Sequence, residues 1–445
     1  MIFDWGFLLR WTETRAEVLK QHPVDLTFFF VPQVVQALRF DDLGYIAQFI
    51  FETTKVLQLF CHQIIWNMKA NCYKDDAAEI MNPLKPTLDW MADMVVDSLS
   101  GDARAFYNRK FGFFNKVTSI PGKLKPFIKK SKPEKKARPS KIILGFDLTF
   151  VDIGVYLPSN SEGSAINIDK KSGQPLQSHP KAPFMATFKV RKERIIIDSD
   201  PKSLLNGALK KHEEYDIWQQ AIFKVGDDCQ QDVLALQIIA MFKNIFTSIR
   251  LTLYLLPYRV TATAIGCGVI DVVPNAISRD KMGRATVNDL LNFFISKYRG
   301  EETVASQCAH LNFIQSMAAC FVACYILQIK DRHNGNIMID GEGHIIHIDF
   351  GVKFEPSSFK LTHEMVVLIG GRYSQGYELF QHPMLISTAQ LMLGTGFPSF
   401  KGKLTIKHLK DQFALGLNER QAAEWMMGIV HNAHENVRST AYDEF

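Results

Sequence analysis

The sequence predicts an α+β protein in which a helical region is followed by a β-rich lobe and then by a second helical lobe. Three observations support this. Apolar residues recur at three- and four-residue spacing from about residue 23 to 116, short β-like runs fill 141–273, and the helical period returns from Thr286 onward. A chain of 445 residues is long enough for two or three domains, so each region can form its own core.

The first region is predicted to be an accessory domain of stacked helices, of the solenoid-like kind, over residues 1–121. Helical spacing of apolar residues is clearest in four stretches, 31–38, 45–55, 56–68 and 88–99. No sequence repeat is evident, so the helices are expected to pack as antiparallel neighbours, not as copies of one unit.

Residues 122–141 form a basic segment with nine Lys or Arg residues and three prolines. Proline and dense charge of one sign favour an exposed linker. Phe127 and Ile128 interrupt the charge, so a strip that faces a membrane or a partner is the alternative.

The β-rich lobe is predicted over residues 142–273 and the second helical lobe over 274–445. The β-like runs lie at 141–150, 155–157, 184–189, 194–197, 221–225, 251–256 and 268–273, with one helix at 232–247. A β-rich lobe followed by a helical lobe is the outline of a two-lobed domain.

Composition excludes several classes of protein. Hydrophobic residues make up 47% and charged residues 22%, which is ordinary for a globular chain and unlike a disordered one. The net charge of +5 is mildly basic, which suits a protein that meets anionic phosphate or lipid and does not require nucleic acid. The seven cysteines contain no CxxC pair, so reduced thiols in the cytosol are expected.

No signal peptide is expected at the start of the sequence, and the longest apolar run, residues 317–329, is shorter than the roughly 20 residues that span a bilayer. We therefore expect any membrane contact to be peripheral.

The segment from Asp331 to Asn336, which reads Asp-Arg-His-Asn-Gly-Asn, precedes Asp349-Phe-Gly by a hairpin-length spacing. Phosphoryl transfer requires a group near the attacking hydroxyl, oxygen ligands for Mg²⁺ and cations that offset phosphate charge. Asp331 and His333 are candidates for the first role, and Asn336 and Asp349 carry the oxygens that Mg²⁺ prefers. The alternative, a polar turn before a hairpin, does not account for two ordered motifs.

Lys224 ends an apolar strand and Asp232 lies at the start of the next predicted helix. A strand lysine paired with a helix carboxylate can hold ATP phosphates as a point charge. The alternative is a solvated lysine. The order of Lys224 before the two downstream motifs favours the phosphate role.

The sequence contains no Gly-x-Gly-x-x-Gly phosphate loop. The polar turn 177–184 is the candidate cover for the phosphates, with Ser178 and Lys181 as its contacts. A simple hairpin turn is the alternative.

Together these motifs resemble the phosphoinositide 3-/4-kinase family over roughly residues 145–445. The residues that carry the resemblance are Phe-Lys-x-Gly-Asp-Asp at 223–228, Asp-Arg-His-Asn-Gly-Asn at 331–336 and His-Ile-Asp-Phe-Gly at 347–351. Leu-Pro-Ser-Asn at 157–160 and the segment 171–178 resemble the type III alpha 4-kinases within that family. The helical region resembles the family's accessory domain, and the resemblance implies a two-lobed, protein-kinase-like catalytic fold.

The resemblance implies roles for individual residues. Lys224, ordered by Asp232, would bind ATP phosphates, and His333 or Asp331 would activate the inositol hydroxyl while Asn336 and Asp349 bind the metal. Ser178 and Lys181 would cover the phosphates. The adenine pocket and hinge would be formed by Tyr258, Asp271, Val273, Met338 and Ile348.

The implied reaction transfers the ATP γ-phosphate to the 4-hydroxyl of phosphatidylinositol. ATP and Mg²⁺ would be the cofactors, with Mn²⁺ as the alternative ion. The partners would be phosphatidylinositol in membranes and a membrane-anchored scaffold complex, without nucleic acid. The protein would be cytoplasmic and peripherally recruited to a membrane, most often the plasma membrane.

Two departures from the family pattern keep other functions open. Gln230 stands where the family usually has Arg, and the stretch 349–360 is shorter than the family's activation loop. They support a catalytically impaired pseudokinase that acts as a scaffold. A protein Ser/Thr kinase of the phosphoinositide-kinase-like group is the other alternative.

Overall fold

The computed structural model describes residues 29–75, 80–118, 155–176, 183–197, 210–226, 228–248, 250–284, 290–327, 329, 332–350, 363–368 and 419–434. They belong to two compact units. The first contains the described residues among 6–233 and 258–272, and the second those among 234–257 and 273–445.

The helical part of the first unit confirms the helices predicted from apolar spacing. Its elements are α1 (Val31–Ala37), α2 (Tyr45–Val56), α3 (Gln58–Ala70), the strands β1 (Tyr73–Asp75) and β2 (Ile80–Met81), α4 (Lys85–Ser98) and α5 (Gly101–Thr118). Proline in the first turn begins both α1 and α4, where its missing N–H costs no helical hydrogen bond.

The first unit also contains a six-stranded antiparallel sheet in the order β3-β4-β5-β6-β8-β7. Its strands are β3 (Val155–Leu157), β4 (Asn160–Pro175), β5 (Phe184–Ile197), β6 (Lys210–Val225), β7 (Val260–Ala264) and β8 (Cys267–Asp271).

The runs predicted separately at 184–189 and 194–197 are a single strand, β5. The basic residues between them are paired with acids on the neighbouring strands: Arg191 Nε lies 3.0 Å from an Asp216 oxygen on β6, and Lys192 Nζ lies 3.4 Å from a Glu162 oxygen on β4. Cross-strand ion pairs therefore stabilise β5 in a polar stretch where apolar and polar residues do not alternate.

Helices and sheet share one core in this unit. Phe113 and Phe114 of α5 lie against Phe188 of β5 and Phe223 of β6, with ring centroids 6.5 Å apart in both pairs. Phe223 is fully buried and directly precedes Lys224, so the accessory helices form part of the support on which the lysine strand rests.

A second feature of this core is a buried polar cluster, which we call the Lys110 cluster: Lys110, His62, Tyr156 and Trp66. His62 Nδ1 lies 2.6 Å from the Tyr156 hydroxyl and 3.4 Å from Lys110 Nζ, which lies 4.6 Å from the centre of the Trp66 ring. Burial lowers the pKa of Lys110 well below its ordinary value. Burial, reinforced by Lys110, lowers the pKa of His62 to about 3.

The second unit is mainly helical and contains a three-stranded antiparallel sheet in the order β11-β10-β9. The elements after the large sheet are β9 (Ile277–Ser278), α7 (Arg279–Arg284), α8 (Leu290–Lys297), α9 (Val304–Leu327), β10 (Ile337–Ile339), β11 (Ile345–His347), α10 (His363–Leu368) and α11 (Glu419–His434). Helix α6 (Gln230–Ser248) precedes them and contributes its first residues to the first unit.

The strand predicted at 251–256 is wrong, because these residues have no regular secondary structure. A strand requires a partner ladder as well as suitable side chains. The mixed helix and sheet content is as predicted, and the two-lobed arrangement stays a prediction.

Helix α9 is long and apolar enough to cross a membrane by length and composition, unlike the shorter run that its sequence suggested. In its most apolar window 78% is buried inside the protein, which is typical of the core helix of a globular domain.

Candidate functional site

The predicted lysine–carboxylate pair forms within the first unit. Lys224 Nζ lies 3.9 Å from an Asp232 carboxylate oxygen, and the two side chains are 16% and 7% exposed. Opposite charges at this distance and burial are screened little by solvent, so the pair can fix the ammonium at the end of β6.

Local sequence explains why α6 begins beside this lysine. The Asp228 carboxylate accepts a hydrogen bond of 2.9 Å from the Gln230 amide, and the Val233 amide donates to the Cys229 carbonyl at 3.0 Å. Asp228 therefore caps the helix. Asp232 lies in the first turn, where the helix dipole favours negative charge.

Asp271 ends β8, and its carboxylate accepts a hydrogen bond from the Ser159 hydroxyl on the β3–β4 turn. Burial raises the pKa of Asp271, and the Ser159 hydrogen bond partly opposes that rise. The carboxylate therefore holds the β3–β4 turn, and the Asp271 amide donates to the Arg259 carbonyl at 2.9 Å. The role that the resemblance gives Asp271 at the adenine hinge stays a prediction.

The remaining adenine-pocket candidates lie in both units. Tyr258 is buried just before β7 in the first unit. Val273, Met338 and Ile348 belong to the second unit, where Val273 is buried and the other two are half-buried. Their common pocket stays a prediction.

The second unit places the metal-ligand candidates beside each other on one hairpin. Asn336 ends a 3-10 turn, Asn334–Asn336, directly before β10, and its carbonyl accepts a hydrogen bond of 3.0 Å from the Ile348 amide. Ile348 precedes Asp349, so Asn336 and Asp349 lie at neighbouring positions across the hairpin. The Asn336 side chain is buried and Asp349 is exposed.

These two residues fit a Mg²⁺ ion. Among the residues that the structure describes, no group of three or more His, Cys, Asp or Glu side chains could hold a metal. Mg²⁺ at a phosphoryl-transfer site commonly takes one or two protein oxygens and fills its other positions with phosphates and water. One amide and one carboxylate oxygen are that kind of donor set.

His333 is held by the turn that it begins. Its Nδ1 accepts a hydrogen bond of 3.0 Å from the Gly335 amide. A Cβ on Gly335 would lie 2.7 Å from the ring's Cε1, so only glycine lets the imidazole lie there. Since Nδ1 is an acceptor, the neutral ring carries its proton on Nε2.

Arg332 is a residue of this site that the sequence analysis missed. It is buried, and its guanidinium donates to the carbonyl of Ile348 at 2.8 Å and to that of Asp349. Asp349 has a φ of +59°, which is uncommon outside glycine and concentrates at functional sites. An Arg between two candidate catalytic residues was the available signal.

Three predicted site residues, Asp331, Ser178 and Lys181, lie outside the described residues, so their roles stay predictions.

Comparison with known families gives two matches. The family described as "Phosphatidylinositol 3- and 4-kinase" matches residues 218–391, which include the Lys224 pair and the Asn336–Asp349 hairpin. The family described as "Phosphoinositide 3-kinase family, accessory domain (PIK domain)" matches residues 14–108, which include α1 to α4. An accessory domain and a kinase domain are therefore both present, while the finer boundaries predicted from sequence stay predictions.

Curated relatives are similar along most of the chain. Phosphatidylinositol 4-kinase stt4 of Schizosaccharomyces pombe is 53% identical over 96% of this chain, and STT4 of Saccharomyces cerevisiae is 48% identical over 96%. The chain spans about a quarter of the length of these two proteins, 24% and 23%. Phosphatidylinositol 4-kinase alpha 2 of Arabidopsis thaliana is 34% identical, over 86% of this chain and 74% of its own length.

Proposed function

The chain belongs to the phosphatidylinositol 3- and 4-kinase family, and we propose that it transfers the γ-phosphate of ATP to the 4-hydroxyl of phosphatidylinositol. The observations that carry this are the Lys224–Asp232 pair of the first unit, which would supply a cation to the phosphates, and the Asn336–Asp349 hairpin of the second unit, which would supply oxygens to a metal ion. The 4-hydroxyl follows from the relatives' names.

Lys224 supplies fixed positive charge to the nucleotide phosphates. Its ammonium is held by Asp232 at the end of a strand whose neighbouring side chain, Phe223, is fully buried. The charge is therefore in place before the nucleotide arrives, and transition-state charge is stabilised without the cost of ordering a free side chain.

Asn336 and Asp349 would hold Mg²⁺, which when bound neutralises charge on the β- and γ-phosphates. Arg332 fixes the backbone on the Asp349 side of the hairpin by donating to the carbonyls of Ile348 and Asp349. Main-chain contacts thus fix the backbone that carries the exposed Asp349 carboxylate.

His333 can donate a hydrogen bond from Nε2 but, while Nδ1 accepts from Gly335, it has no open lone pair for a proton. In this arrangement the inositol hydroxyl would lose its proton to Asp331, and His333 would stabilise the oxygen or phosphate that gains charge. We therefore assign proton abstraction to Asp331 and charge stabilisation to His333.

The remaining features of the proposal follow from the family. We propose a two-lobed, kinase-like catalytic fold that uses ATP, a substrate in a membrane, and a protein at the cytoplasmic face of that membrane, recruited by a membrane-anchored scaffold complex. The net charge of +5 and the basic segment 122–141 support attraction to an anionic lipid surface.

The test is a kinase assay on the 445-residue chain with phosphatidylinositol vesicles, Mg-ATP and analysis that separates the 3- and 4-phosphate products. We expect the 4-phosphate, and a loss of at least about 100-fold with Asp349→Ala. The matched control is Glu342→Ala at the turn of the same hairpin, which removes an exposed carboxylate outside the proposed metal set. Both variants must retain the unfolding temperature of a folded domain.

The alternatives give different results. A folded chain that binds Mg-ATP and phosphorylates no lipid would support the scaffold function. Transfer to added proteins in the absence of lipid would support the protein kinase function. Formation of the 3-phosphate would contradict the proposed hydroxyl.

A further inference from the structure

The first turn of α6 is attached to the accessory helices by a side chain that the proposed mechanism does not use. Gln230, the first residue of α6, donates from Nε2 to the carbonyl of Ala70, the last residue of α3. The last carbonyls of a helix have no partner within the helix. Gln230 therefore caps α3 with a neutral amide donor, 160 residues away in sequence.

A small apolar cluster lies at the same junction. Ala70, Cys229 and Ala262 are buried together, and Val260 packs against them. The end of α3, the residue before α6 and strand β7 thus share a contact, and the hydrogen bond of Gln230 borders a packed surface.

The junction also reaches the strand that carries the lysine. Gly268 on β8 is paired with Lys224 on β6, and a Cβ on Gly268 would lie 2.5 Å from Cys229 Sγ. The absence of a side chain opposite Lys224 is what lets Cys229 rest on the sheet. Three residues after Cys229, Asp232 reaches Lys224.

The first turn of α6 is therefore fixed at three points: Cys229 on the sheet, Gln230 on α3 and Asp232 at the lysine. We propose that Gln230 is a positioning residue for ATP binding, which places Asp232, and through it Lys224, by tying α6 to the end of α3. The accessory domain then sets the geometry of the nucleotide lysine. The nucleotide role of Lys224 rests on the proposed function.

The test compares four variants of the 445-residue chain with wild type. Gln230→Ala removes the donor, and Gln230→Glu keeps the shape but sets an acceptor against the Ala70 carbonyl. Gln230→Arg keeps a donor at the end of a long side chain, which makes it the rescue variant. Gln231→Ala is the matched control, because Gln231 is the neighbouring exposed glutamine of the same turn.

Binding of Mg-ATP is measured as Kd, and lipid phosphorylation as kcat with separate KM values for ATP and for phosphatidylinositol. We expect Gln230→Ala and Gln230→Glu to raise the Kd and KM for ATP by about two- to tenfold, the effect of one lost neutral hydrogen bond. The KM for lipid should not change. Gln230→Arg and Gln231→Ala should remain within about twofold of wild type.

Two outcomes would overturn the positioning role: equal nucleotide affinity in Gln230→Ala, Gln230→Glu and Gln231→Ala, or a Gln230→Arg that resembles Gln230→Ala. These are separable from failure of the proposed reaction. If wild type phosphorylates no lipid but the Kd for Mg-ATP is raised in Gln230→Ala and Gln230→Glu alone, the positioning role of Gln230 is supported and the proposed reaction is contradicted. If wild type phosphorylates phosphatidylinositol and the Kd for Mg-ATP is the same in all variants, the proposed reaction is supported and the positioning role is contradicted.

Discussion

Lys224 and Lys110 are both lysines of the first unit with little exposure, yet their surroundings assign them opposite roles. Lys224 has a carboxylate, Asp232, at 3.9 Å. Lys110 is fully buried, and within the described part of the chain its neighbours are the His62 imidazole, the Cys61 thiol and the Trp66 and Tyr156 rings, with no ion pair.

The difference shows how a buried cation is made useful. A carboxylate partner favours the ionised lysine, so Lys224 can present charge to a phosphate. Ring faces attract an ammonium by only about 0.5–2 kcal/mol, which does not offset burial, and the pKa of Lys110 is accordingly well below its ordinary value. Lys110 is therefore a packing residue.

The largest expected effect comes from exchanging each lysine for methionine. Lys224→Met should lower kcat/KM for lipid phosphorylation by at least about 100-fold, because a preorganised charge on the phosphates is lost. Lys110→Met should leave the same quantity within about threefold. Steady-state kinetics on both variants checks this, and similar losses in the two would erase the distinction between them.

Lys110→Met should change the stability of the protein instead of its activity. Lys110→Met should raise the free energy of unfolding at pH 7 by about 1–3 kcal/mol, since an apolar side chain of similar length replaces a polar amine whose charged form burial disfavours. Urea unfolding measures it. Lys116→Met, at an exposed position of the same helix, is the control and should shift stability by less than about 1 kcal/mol. A destabilised Lys110→Met would mean that the amine is needed in the core.

The next prediction concerns the steric fit of the His333 ring against Gly335. Gly335→Ala should lower kcat by about tenfold and change the Kd for ATP less, because the added Cβ would lie 2.7 Å from the His333 ring and would displace it. Gly341→Ala, whose Cβ would meet only Asn275 at 3.5 Å, is the control and should behave as wild type. An unchanged kcat in Gly335→Ala would remove His333 from the mechanism.

The smallest expected effect is a pH dependence of stability. The pKa of His62 is about 3 in the folded protein against an ordinary 6.5, so below pH 6.5 the unfolded chain binds a proton that the folded chain does not. The free energy of unfolding should therefore fall as the pH falls from 6.5, by about 1 kcal/mol per unit for this residue.

The variant His62→Gln should reduce that loss between pH 7.5 and 5.5, as measured by urea unfolding. His347, whose pKa is also lowered by burial to about 3, should retain its share. Identical slopes for wild type and His62→Gln would contradict a neutral, buried His62.

Sequence reasoning worked where the signal is local. Apolar spacing predicted the helices among residues 31–99, and the motif order singled out Lys224 and Asp232, which lie 3.9 Å apart. The roles of His333, Asn336 and Asp349 stay predictions. It failed where pairing decides: residues 251–256 have strand-like side chains but no ladder, and Arg191 on β5 is accommodated by acids on a strand that lies further along the chain.

Contacts distant in sequence could not be predicted at all. The hydrogen bond from Gln230 to Ala70 joins residues 160 positions apart, and the Lys110 cluster joins α3, α5 and β3. Gln230 is visible in the sequence only as a departure from the family's usual Arg, and Lys110 only as one lysine among many. Their roles come from packing, which one sequence does not specify by pattern.

The most direct test of the account is to acylate the folded 445-residue chain with an ATP acyl-phosphate, which transfers its acyl group to lysines beside bound phosphates, and to identify the labelled peptides by mass spectrometry. We expect labelling of Lys224 that excess Mg-ATP prevents, and no labelling of Lys110. ATP-protected labelling that omits Lys224, or equal labelling with and without Mg-ATP, would contradict the assignment of Lys224 as the nucleotide lysine.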